Sequence, residues 1–321
     1  MSKNKVSIYG VGGLGINILK ALPEELSIGY AQIVPYFIDT SDSNMRNANT
    51  TPENTYLFTG IDGSGKARSE NHEIIAKNTL AILQQCKPEA FSIVIHSASG
   101  GSGGVIAAGL VSELKKRGEQ VVIIMVGSTS CQDEIDNNIK ALKTYDLLAA
   151  RTKSPITVHY LENAASIPRK TIDQNATMAT LALLVLFSGD NDELDTADLR
   201  NWLKHSKLGN ELVSLQFCYT EEGYKDAGTV ISVATLARHG TSTNLHPLPA
   251  YQAVGFLTEH ADIDFIEDKP LHFTISSDLI TSASKALNTK LKEADTYLSS
   301  SVARASLVSE NDTISDTGIV I

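Results

Sequence analysis

Near its start the chain reads Lys5-Val6-Ser7-Ile8-Tyr9-Gly10-Val11-Gly12-Gly13-Leu14-Gly15, an apolar run followed at once by a glycine-rich turn. A second stretch has the same form, because Ser92-Ile93-Val94-Ile95-His96 is soon followed by Ser99-Gly100-Gly101-Ser102-Gly103-Gly104. Glycine has no Cβ, so its backbone N–H groups can approach phosphate oxygens closely. Two such turns at the ends of two strands of one sheet are suited to hold the phosphates of one nucleotide from both sides.

The first half of the chain alternates short apolar runs with stretches of helical periodicity. This order predicts an α/β fold with a parallel, doubly wound sheet. Ligands of such sheets bind beyond the carboxyl ends of the strands. We predict strands at residues 6–9, 32–39, 56–58, 92–97, 121–126 and 156–160, and helices at residues 16–22, 71–85, 105–116 and 135–148.

The second half of the chain has a different pattern. Residues 172–187 predict a helix that is apolar nearly all round, too short for a bilayer and therefore buried between two domains. Strands follow at 212–219, 229–236, 254–258 and 271–275, then a long helix at 278–307. The predicted units are a nucleotide-binding domain (1–170), a central helix (171–188), a smaller mixed-sheet α+β domain (189–276), a C-terminal helix (277–308) and an acidic tail (309–321).

Composition narrows the classes of function. The 321 residues carry a net charge of −10, which disfavours direct binding to nucleic acid. No apolar run approaches the roughly 18 residues of a membrane span, and the first residues lack a signal-peptide core, so we expect no membrane and a cytoplasmic location. Cys86, Cys131 and Cys218 are far apart in the chain. We expect three buried free thiols and no metal held by protein side chains alone.

The first glycine-rich turn, taken alone, is typical of a dinucleotide-binding domain. Asp39 ends the second predicted strand, at the place where such domains carry an acidic residue for the ribose. An NAD-dependent oxidoreductase is therefore one interpretation. It does not explain the second turn, nor Asn17 two residues beyond the last glycine.

A third glycine-containing stretch, Gly60-Ile61-Asp62-Gly63-Ser64-Gly65-Lys66, fits the G-x-x-x-x-G-K pattern of a phosphate loop. The next residue is Ala67, so the hydroxyl that holds Mg²⁺ in such loops is missing. We expect instead a surface loop near a terminal phosphate, in which Lys66 supplies a charge. The candidate contacts are Gly63, Ser64 and Gly65.

An acidic stretch, Glu193-Leu194-Asp195-Thr196-Ala197-Asp198-Leu199-Arg200, follows the central helix and leaves two interpretations open. Asp195 as the N-cap and Asp198 at the third helical position would form a capping box. Alternatively, the two carboxylates on one exposed turn would polarise a water molecule and bind a cation.

In three stretches the chain resembles the tubulin/FtsZ superfamily. Residues 10–15 followed by Asn17 are similar to the first phosphate turn of that family. Gly101-Ser102-Gly103 keeps the second half of the signature G-G-G-T-G-[ST]-G, whereas Ser97-Ala98-Ser99 replaces the triple glycine. Residues 194–200 are similar to V-D-F-A-D-V-R, and Glu193 stands where FtsZ has Asn. The long terminal helix and the acidic tail resemble the phage tubulins, the PhuZ group.

The resemblance implies a site for GTP or GDP with Mg²⁺. The residues implied near the phosphates, the ribose and the base are Gly12, Gly13, Leu14, Asn17, Asp39, Asp42, Ser99, Gly100, Gly101, Ser102 and Gly103. Glu134 is implied for a ribose hydroxyl with Asn138 assisting, and Asn175 for the guanine edge. The implied catalytic residues are Asp195, Asp198 and Glu193, acting on the nucleotide of a neighbouring subunit.

The function that the resemblance implies is that of a GTPase that polymerises head to tail into dynamic filaments. Its partner is then another copy of the chain, to which the acidic tail binds. Positioning of phage DNA or of a phage compartment in an infected bacterium is implied in the same way. The alternatives are the NAD-dependent oxidoreductase and a nucleotide sensor that neither hydrolyses nor polymerises.

Overall fold

The computed structural model describes residues 4–46, 48–163, 166–219, 221–266 and 268–301. The strands are β1 (Lys5–Val11), β2 (Gln32–Asp39), β3 (Thr55–Leu57), β4 (Phe91–Ser97), β5 (Gln120–Ser128), β6 (Ile156–Asn163), β7 (Asn191–Asp192), β8 (Leu212–Cys218), β9 (Val230–Ala237), β10 (Tyr251–Leu257) and β11 (Leu271–Ser276). The helices are α1 (Gly12–Lys20), α2 (His72–Gln85), α3 (Ser102–Lys116), α4 (Gln132–Thr152), α5 (Arg169–Leu186), α6 (Thr196–Lys204), α7 (Glu221–Asp226) and α8 (Asp278–Ser301).

The strand–helix alternation predicted for the first half is confirmed. Strand β2 has the predicted bounds, and helices α3 and α4 begin three residues earlier than predicted. The helix bounds differ because the apolar periodicity begins only after the first turn of each helix. The short strand β7 and helix α7 were not predicted, since neither has an apolar pattern of its own.

The eleven strands found among the described residues all belong to one sheet, in the order β3-β2-β1-β4-β5-β6-β8-β11-β9-β10-β7. Strands β1 to β6 are parallel to their neighbours. The predicted mixed sheet is present, because β11 is antiparallel to β8 and β9. It is not a separate layer, however. Strand β8 pairs with β6 in parallel register, Ile156 with Leu212, so the backbone hydrogen bonds continue from the first half into the second.

Two apolar layers cover the two faces of the sheet. One contains side chains of α1, α5 and α6, and the other contains side chains of α2, α3, α4 and α8. Neighbouring residues of β4 alternate between them, since Ile93 and Ile95 belong to the first layer and Val94 to the second. Strands buried on both faces read as continuous apolar runs, which is the pattern that predicted them.

The central helix α5 is only partly buried. Its carboxyl-terminal part, residues 182–186, is buried without interruption, and Phe187 stacks on Phe91 with ring centroids 4.3 Å apart. Its amino-terminal part has an exposed side, where Met178 lies. The prediction of burial all round is therefore right for one half of the helix and wrong for the other.

Helix α8 is described as far as Ser301 and contacts α4. Gln132 at the start of α4 donates a hydrogen bond to Asp295 over 2.5 Å, so the carboxyl end of α8 lies beside the amino end of α4. The predicted end of this helix at 307 and the acidic tail 309–321 lie outside the described residues. None of the described helices combines the length and the apolar character needed to cross a bilayer.

Candidate functional site

The two glycine-rich turns contact each other. Strands β1 and β4 are parallel neighbours, with Val11 beside His96, so the turns leave the sheet at the same edge. A Cβ built on Gly12 would lie 3.3 Å from the Cα of Gly103, and one built on Gly103 would lie 3.4 Å from the Cα of Gly12. Gly12 also has a φ of +69°, a conformation that favours glycine. The pairing of turns expected from the sequence is therefore present.

Each of these turns leads into the amino terminus of a helix. Neither α1 nor α3 has an N-cap side chain that bonds to its free N–H groups. The Oγ of Ser102 is buried and has no hydrogen-bond partner among the described residues. Free N–H groups and the helix dipole make such positions suitable for anions. We call the space between the two turns, at the starts of α1 and α3, the phosphate cradle. Its free backbone N–H groups and the unpartnered hydroxyl of Ser102 make it suitable for a polyphosphate.

A cavity of about 430 Å³ lies at the carboxyl ends of the parallel strands. Of the predicted residues, it is lined by Leu14, Ser99, Gly100 and Glu134. Other lining residues were not predicted for the site: Ser97, Val126, Gly127, Ser128, Ser130, Asn163, Arg169, Ile172 and Asp173. Most of them occupy the ends of β4, β5 and β6 or the start of α5. The rule that ligands bind beyond the strand ends would have selected them from the predicted elements alone.

Glu134 lines the cavity, and its role at a ribose hydroxyl stays a prediction. Its Oε1 lies 2.7 Å from the Nζ of Lys66, and its Oε2 accepts a hydrogen bond from the Ser128 hydroxyl over 2.5 Å. Burial alone would raise the pKa of this carboxyl, but the hydrogen bonds from Lys66 and Ser128 outweigh it and lower the pKa. The group is therefore an ionised acceptor at the edge of the cavity.

Asn138 is not among the residues that line the cavity, and its role at the ribose stays a prediction. Its side chain is fully buried, accepts a hydrogen bond from the Ser99 hydroxyl over 2.9 Å and donates one to the Ser128 carbonyl over 2.7 Å. Its neighbour Asn137 donates to the carbonyls of Lys66 and Ser99. Buried amide groups need hydrogen-bond partners, and these two find theirs in the segments that form the cavity wall. The two amides therefore connect those segments to α4.

Asp39 is likewise buried and bonded to protein groups, and its place at the ribose stays a prediction. It is 4 % exposed and accepts hydrogen bonds from the Asn44 amide and from the Thr40 N–H, each over 2.7 Å. Burial raises the pKa of this carboxyl, partly offset by those hydrogen bonds. Its partner Asn44 lies against Gly13, where an added Cβ would come within 2.9 Å of the Asn44 Oδ1.

Three further candidates, Asn17, Asp42 and Asn175, are exposed and are not among the residues that line the cavity. Asn175 lies two residues beyond Asp173, on the same helix, and only Asp173 lines the cavity. The role of Asn175 at the guanine edge stays a prediction, and this geometry favours Asp173 for the same role.

The loop with the phosphate-loop pattern does not form a phosphate loop. No helix begins after Lys66, since α2 starts only at His72. Instead the Ser64 hydroxyl accepts a hydrogen bond from the N–H of Ser102 over 2.8 Å, and the Asn71 amide donates to the Gly63 carbonyl. The loop therefore lies against the second glycine-rich turn, as expected for a surface loop near the phosphates. Gly63 and Gly65 both have positive φ, which is the backbone freedom expected of them.

The acidic stretch contains the capping box. Asp195 accepts hydrogen bonds from the N–H groups of Ala197 and Asp198, and Asp198 accepts one from the N–H of Asp195. The bonds from Asp198 and Ala197 lower the pKa of the Asp195 carboxyl. Glu193 has a φ of 76°, a strained value for a residue with a side chain. None of these three acids is among the residues that line the cavity at the strand ends.

The expectation of three buried thiols is wrong for one of them. Cys86 and Cys218 are buried, whereas Cys131 is exposed. Cys131 precedes α4 at the rim of the cavity, and the sequence around it carries no apolar periodicity that would have marked it as exposed or buried. No group of three or more His, Cys, Asp or Glu side chains suited to a metal occurs in the described ranges.

The comparisons with known proteins agree with this architecture. No protein-family model matches the chain. It is 28 % identical to a phage tubulin-like protein of Pseudomonas phage PhiPA3 over 100 % of both chains, and 28 % identical to one of Pseudomonas phage phiKZ over 100 % of this chain and 99 % of that one. Its fold matches a protofilament of TubZ from bacteriophage PhiKZ with a TM-score of 0.85 and 26 % identity, covering 98 % of this chain and 99 % of the other. An FtsZ mutant from M. jannaschii matches with a TM-score of 0.61 at 14 % identity, over 86 % and 91 % of the two chains. The chain therefore has the fold of the tubulin/FtsZ superfamily and is similar to the phage tubulin-like proteins over its whole length.

Proposed function

We propose that the chain binds GTP and GDP, hydrolyses GTP, and polymerises head to tail into filaments. The observation that carries the proposal is the contact between the two glycine-rich turns, at Gly12 and Gly103, beside the buried and unpartnered hydroxyl of Ser102. A glycine-rich turn with a purely structural role would not need both the contact with a second turn and an unpartnered buried hydroxyl. The phage tubulin PhuZ, whose fold is matched with a TM-score of 0.85, was solved with GDP, which supports a guanine nucleotide here.

The base is assigned to the part of the cavity lined by Asn163 and Asp173. Guanine presents two neighbouring N–H donors on its Watson–Crick edge, and a carboxylate accepts both of them. Adenine offers no such pair, so a carboxylate at this position selects guanine. The amide of Asn163 supplies both a donor and an acceptor for the remaining polar atoms of the base.

The phosphates are assigned to the cradle between α1 and α3. The N–H groups at the two helix starts would bind the phosphate oxygens, and Lys66 and Arg169, which line the cavity, would offset their charge. Mg²⁺ would bind mainly to phosphate oxygens and water, as is usual for this ion at nucleotide sites. Its part in the reaction is to neutralise charge on the phosphates.

Hydrolysis is assigned to the carboxylates of a second subunit. Helix α5 starts at the cavity with Arg169 and runs for 18 residues before the acidic stretch. At about 1.5 Å per residue, Asp195 and Asp198 lie beyond the far end of a helix roughly 27 Å long. They can reach a phosphate only when subunits stack end to end. Such a contact is heterologous and does not close, so repeating it produces a filament.

The acidic tail is assigned to a groove on the next subunit. A cavity of about 1160 Å³ follows α4 from Asp133 to Arg151, between α4 and helices α2 and α3. Its exposed cations include Lys140, Lys143 and Arg151. The described part of α8 ends beside the start of α4, at the nucleotide end of its own subunit, and in a head-to-tail stack the next subunit lies at that end. Glu310, Asp312 and Asp316 would then meet these cations.

The two alternative functions are less well supported. An NAD-dependent oxidoreductase needs Asp39 at the ribose, and that carboxylate is buried and bonded to Asn44 and Thr40. A sensor without hydrolysis gives no role to the strained backbone of Glu193. Positioning of phage DNA or of a phage compartment, in the cytoplasm of an infected cell, rests on the resemblance to phage tubulins.

GTP turnover measured against protein concentration tests the proposal. We expect turnover per molecule to rise with concentration, because each site is completed by a neighbour. Electron microscopy with GTP, with GDP and with a slowly hydrolysed analogue should show filaments with GTP and the analogue. Turnover per molecule that is independent of concentration indicates a sensor or a self-sufficient enzyme, and bound NAD in place of guanine nucleotide would overturn the proposal.

A further inference from the structure

Lys66 joins the loop at residues 60–71 to helix α4 across the edge of the nucleotide cavity. Its Nζ lies 2.7 Å from the Oε1 of Glu134 and 3.8 Å from the Sγ of Cys131. Both Lys66 and Glu134 line the cavity. Their ion pair, in which the lysine is half exposed, therefore lies at the edge of the cavity where a bound nucleotide would meet the protein.

The carboxylate of Glu134 has both oxygens engaged by protein donors. Lys66 takes one oxygen, and the Ser128 hydroxyl takes the other. A ribose hydroxyl that binds to Glu134 must compete with these donors. Ser128 is held in β5, whereas Lys66 is on a loop and its side chain is 49 % exposed. Of the two donors, Lys66 is therefore the one that can move away from Glu134 with little loss of side-chain packing.

The backbone of Lys66 is held in place, although its side chain is half exposed. Its φ is 72°, which is unfavourable for a residue with a Cβ, and the Asn137 amide donates to its carbonyl over 2.9 Å. Two residues earlier, the Ser64 hydroxyl bonds to the N–H of Ser102 in the phosphate cradle. Two residues span about 7 Å at most. The ammonium of Lys66 is therefore within reach of a phosphate in that cradle.

We propose that Lys66 exchanges partners, leaving Glu134 for the terminal phosphate of a bound nucleoside triphosphate, so that Glu134 becomes free to accept a ribose hydroxyl. The inference rests on the nucleotide site proposed above. The ammonium group of Lys66 thus binds either the Glu134 carboxylate or the terminal phosphate. When it binds the phosphate, Glu134 is free for the ribose, so the terminal phosphate strengthens binding at the ribose. With a diphosphate the terminal phosphate is absent, and Lys66 stays on Glu134. Lys66 is thus a residue that distinguishes triphosphate from diphosphate.

The experiment compares dissociation constants for GDP and for a slowly hydrolysed GTP analogue, in wild-type protein and in Lys66→Met, below the concentration of assembly. Methionine keeps most of the length and volume of the side chain and removes the charge. We expect the analogue to bind about tenfold more weakly, the loss typical of one charge-assisted hydrogen bond. GDP should bind with at most about a twofold change, because its ribose gains access to Glu134 as the lysine is lost. Lys116→Met is the matched control, since Lys116 forms an exposed ion pair with Glu113 at the other end of α3.

A second variant, Glu134→Gln, tests the exchange itself. It should raise the preference for the analogue over GDP, since Lys66 no longer has a competing anion, and in the Lys66→Met background it should leave that preference unchanged. The proposal is overturned if Lys66→Met weakens both nucleotides equally, or if the two substitutions act additively on the preference. These results differ from failure of the proposed function, in which the wild-type protein binds neither nucleotide.

Discussion

Asp195 and Asp198 each bind the backbone of the other. The Oδ1 of Asp195 accepts the N–H of Asp198 over 2.9 Å, and the Oδ2 of Asp198 accepts the N–H of Asp195 over 3.2 Å. The second oxygen of Asp198 accepts a hydrogen bond from the Tyr251 hydroxyl over 3.2 Å. The two interpretations left open by the sequence are therefore compatible, because the capping box orients both carboxylates at the exposed start of α6.

Substitutions that keep the capping box but remove a carboxylate can separate the structural role of Asp195 and Asp198 from a catalytic one. Asp198→Asn keeps an oxygen for the N–H of Asp195 and removes the charge, and Asp195→Ser keeps a good N-cap. We expect each variant to bind GTP normally, to hydrolyse it at least about a hundredfold more slowly and to form longer-lived filaments. Asp198→Ala should have the same effect on turnover and also lose about 1 kcal/mol of stability. Phosphate release and thermal unfolding are the measurements. Normal turnover in Asp198→Asn would contradict catalysis by the neighbouring subunit.

The base assignment predicts a change of specificity at Asp173. Asp173→Asn replaces one acceptor by an N–H donor, so guanine loses a partner and xanthine, which carries an oxygen at that position, gains one. We expect GDP to bind about ten- to a hundredfold more weakly and xanthosine diphosphate to bind more tightly than in the wild-type protein. Competition against a fluorescent nucleotide measures both.

Asn175→Ala is the matched control for this substitution, because Asn175 lies on the same helix but is exposed. It should leave both affinities unchanged. If Asn175→Ala weakens GDP and Asp173→Asn does not, the original prediction for Asn175 is right and the assignment to Asp173 is wrong.

The burial of the Lys115 side chain predicts that the stability of the fold depends on pH. Its side chain is buried, and desolvation, aided by repulsion from Lys204, lowers its pKa from 10.5 to about 7. The folded state therefore disfavours the charged form. Above pH 10.5 the lysine is neutral in both the folded and the unfolded state, so its burial does not lower the free energy of unfolding. As the pH falls from 10.5 to 7 the unfolded chain takes up the proton first, so stability decreases over this range.

Lys115→Met should raise the free energy of unfolding at pH 7 by roughly 4 kcal/mol and at pH 10 by less than about 1 kcal/mol. Urea unfolding at several pH values between 7 and 10 checks this. Lys116→Met is the control, since that neighbouring lysine is exposed, and it should change stability little at either pH. Equal destabilisation by Lys115→Met at all pH values would contradict the prediction, because it would show that the side chain acts through packing and not through its charge.

The groove along α4 predicts how assembly depends on charge. Cutting the chain after Ser309 should raise the protein concentration needed for sedimentable polymer. Reversing groove cations with Lys143→Glu and Arg151→Glu should have a similar effect, and the two changes combined should add little. The effect of truncation should shrink as salt is raised, because exposed charges are screened. Lys207→Glu, which is outside the groove, is the control. Unchanged sedimentation of the truncated chain would remove the tail from assembly.

The sequence predicted those features that depend on neighbours along the chain. The capping box at Asp195 is one, because its partners lie within three residues. The strand that leads into Gly12 and the one that leads towards Gly103 are others, since each is an apolar run long enough to be buried on both faces. Once those strands are parallel neighbours, their carboxyl ends lie at one edge of the sheet and the two turns must meet there.

Side-chain direction was not predictable in the same way. Asp39 and Asn138 both follow or face strand ends, as ribose ligands do, yet both point inwards because buried partners are available to them at Asn44, Ser99 and Ser128. Those partners are brought near by residues distant in the sequence. The same holds for the pairing of Lys66 with Glu134, which joins a loop and a helix 68 positions apart.

The amino-acid order alone thus determined the alternation of strands and helices, the two phosphate-type turns and the local capping of α6, because each follows from periodicity or from contacts within one turn. The tertiary structure decided that the two halves share one sheet through β6 and β8, that Asp173 and not Asn175 lines the cavity, and that Lys66 holds Glu134. These features depend on which distant groups meet when both faces of the sheet are covered, and that is determined by packing of the whole chain.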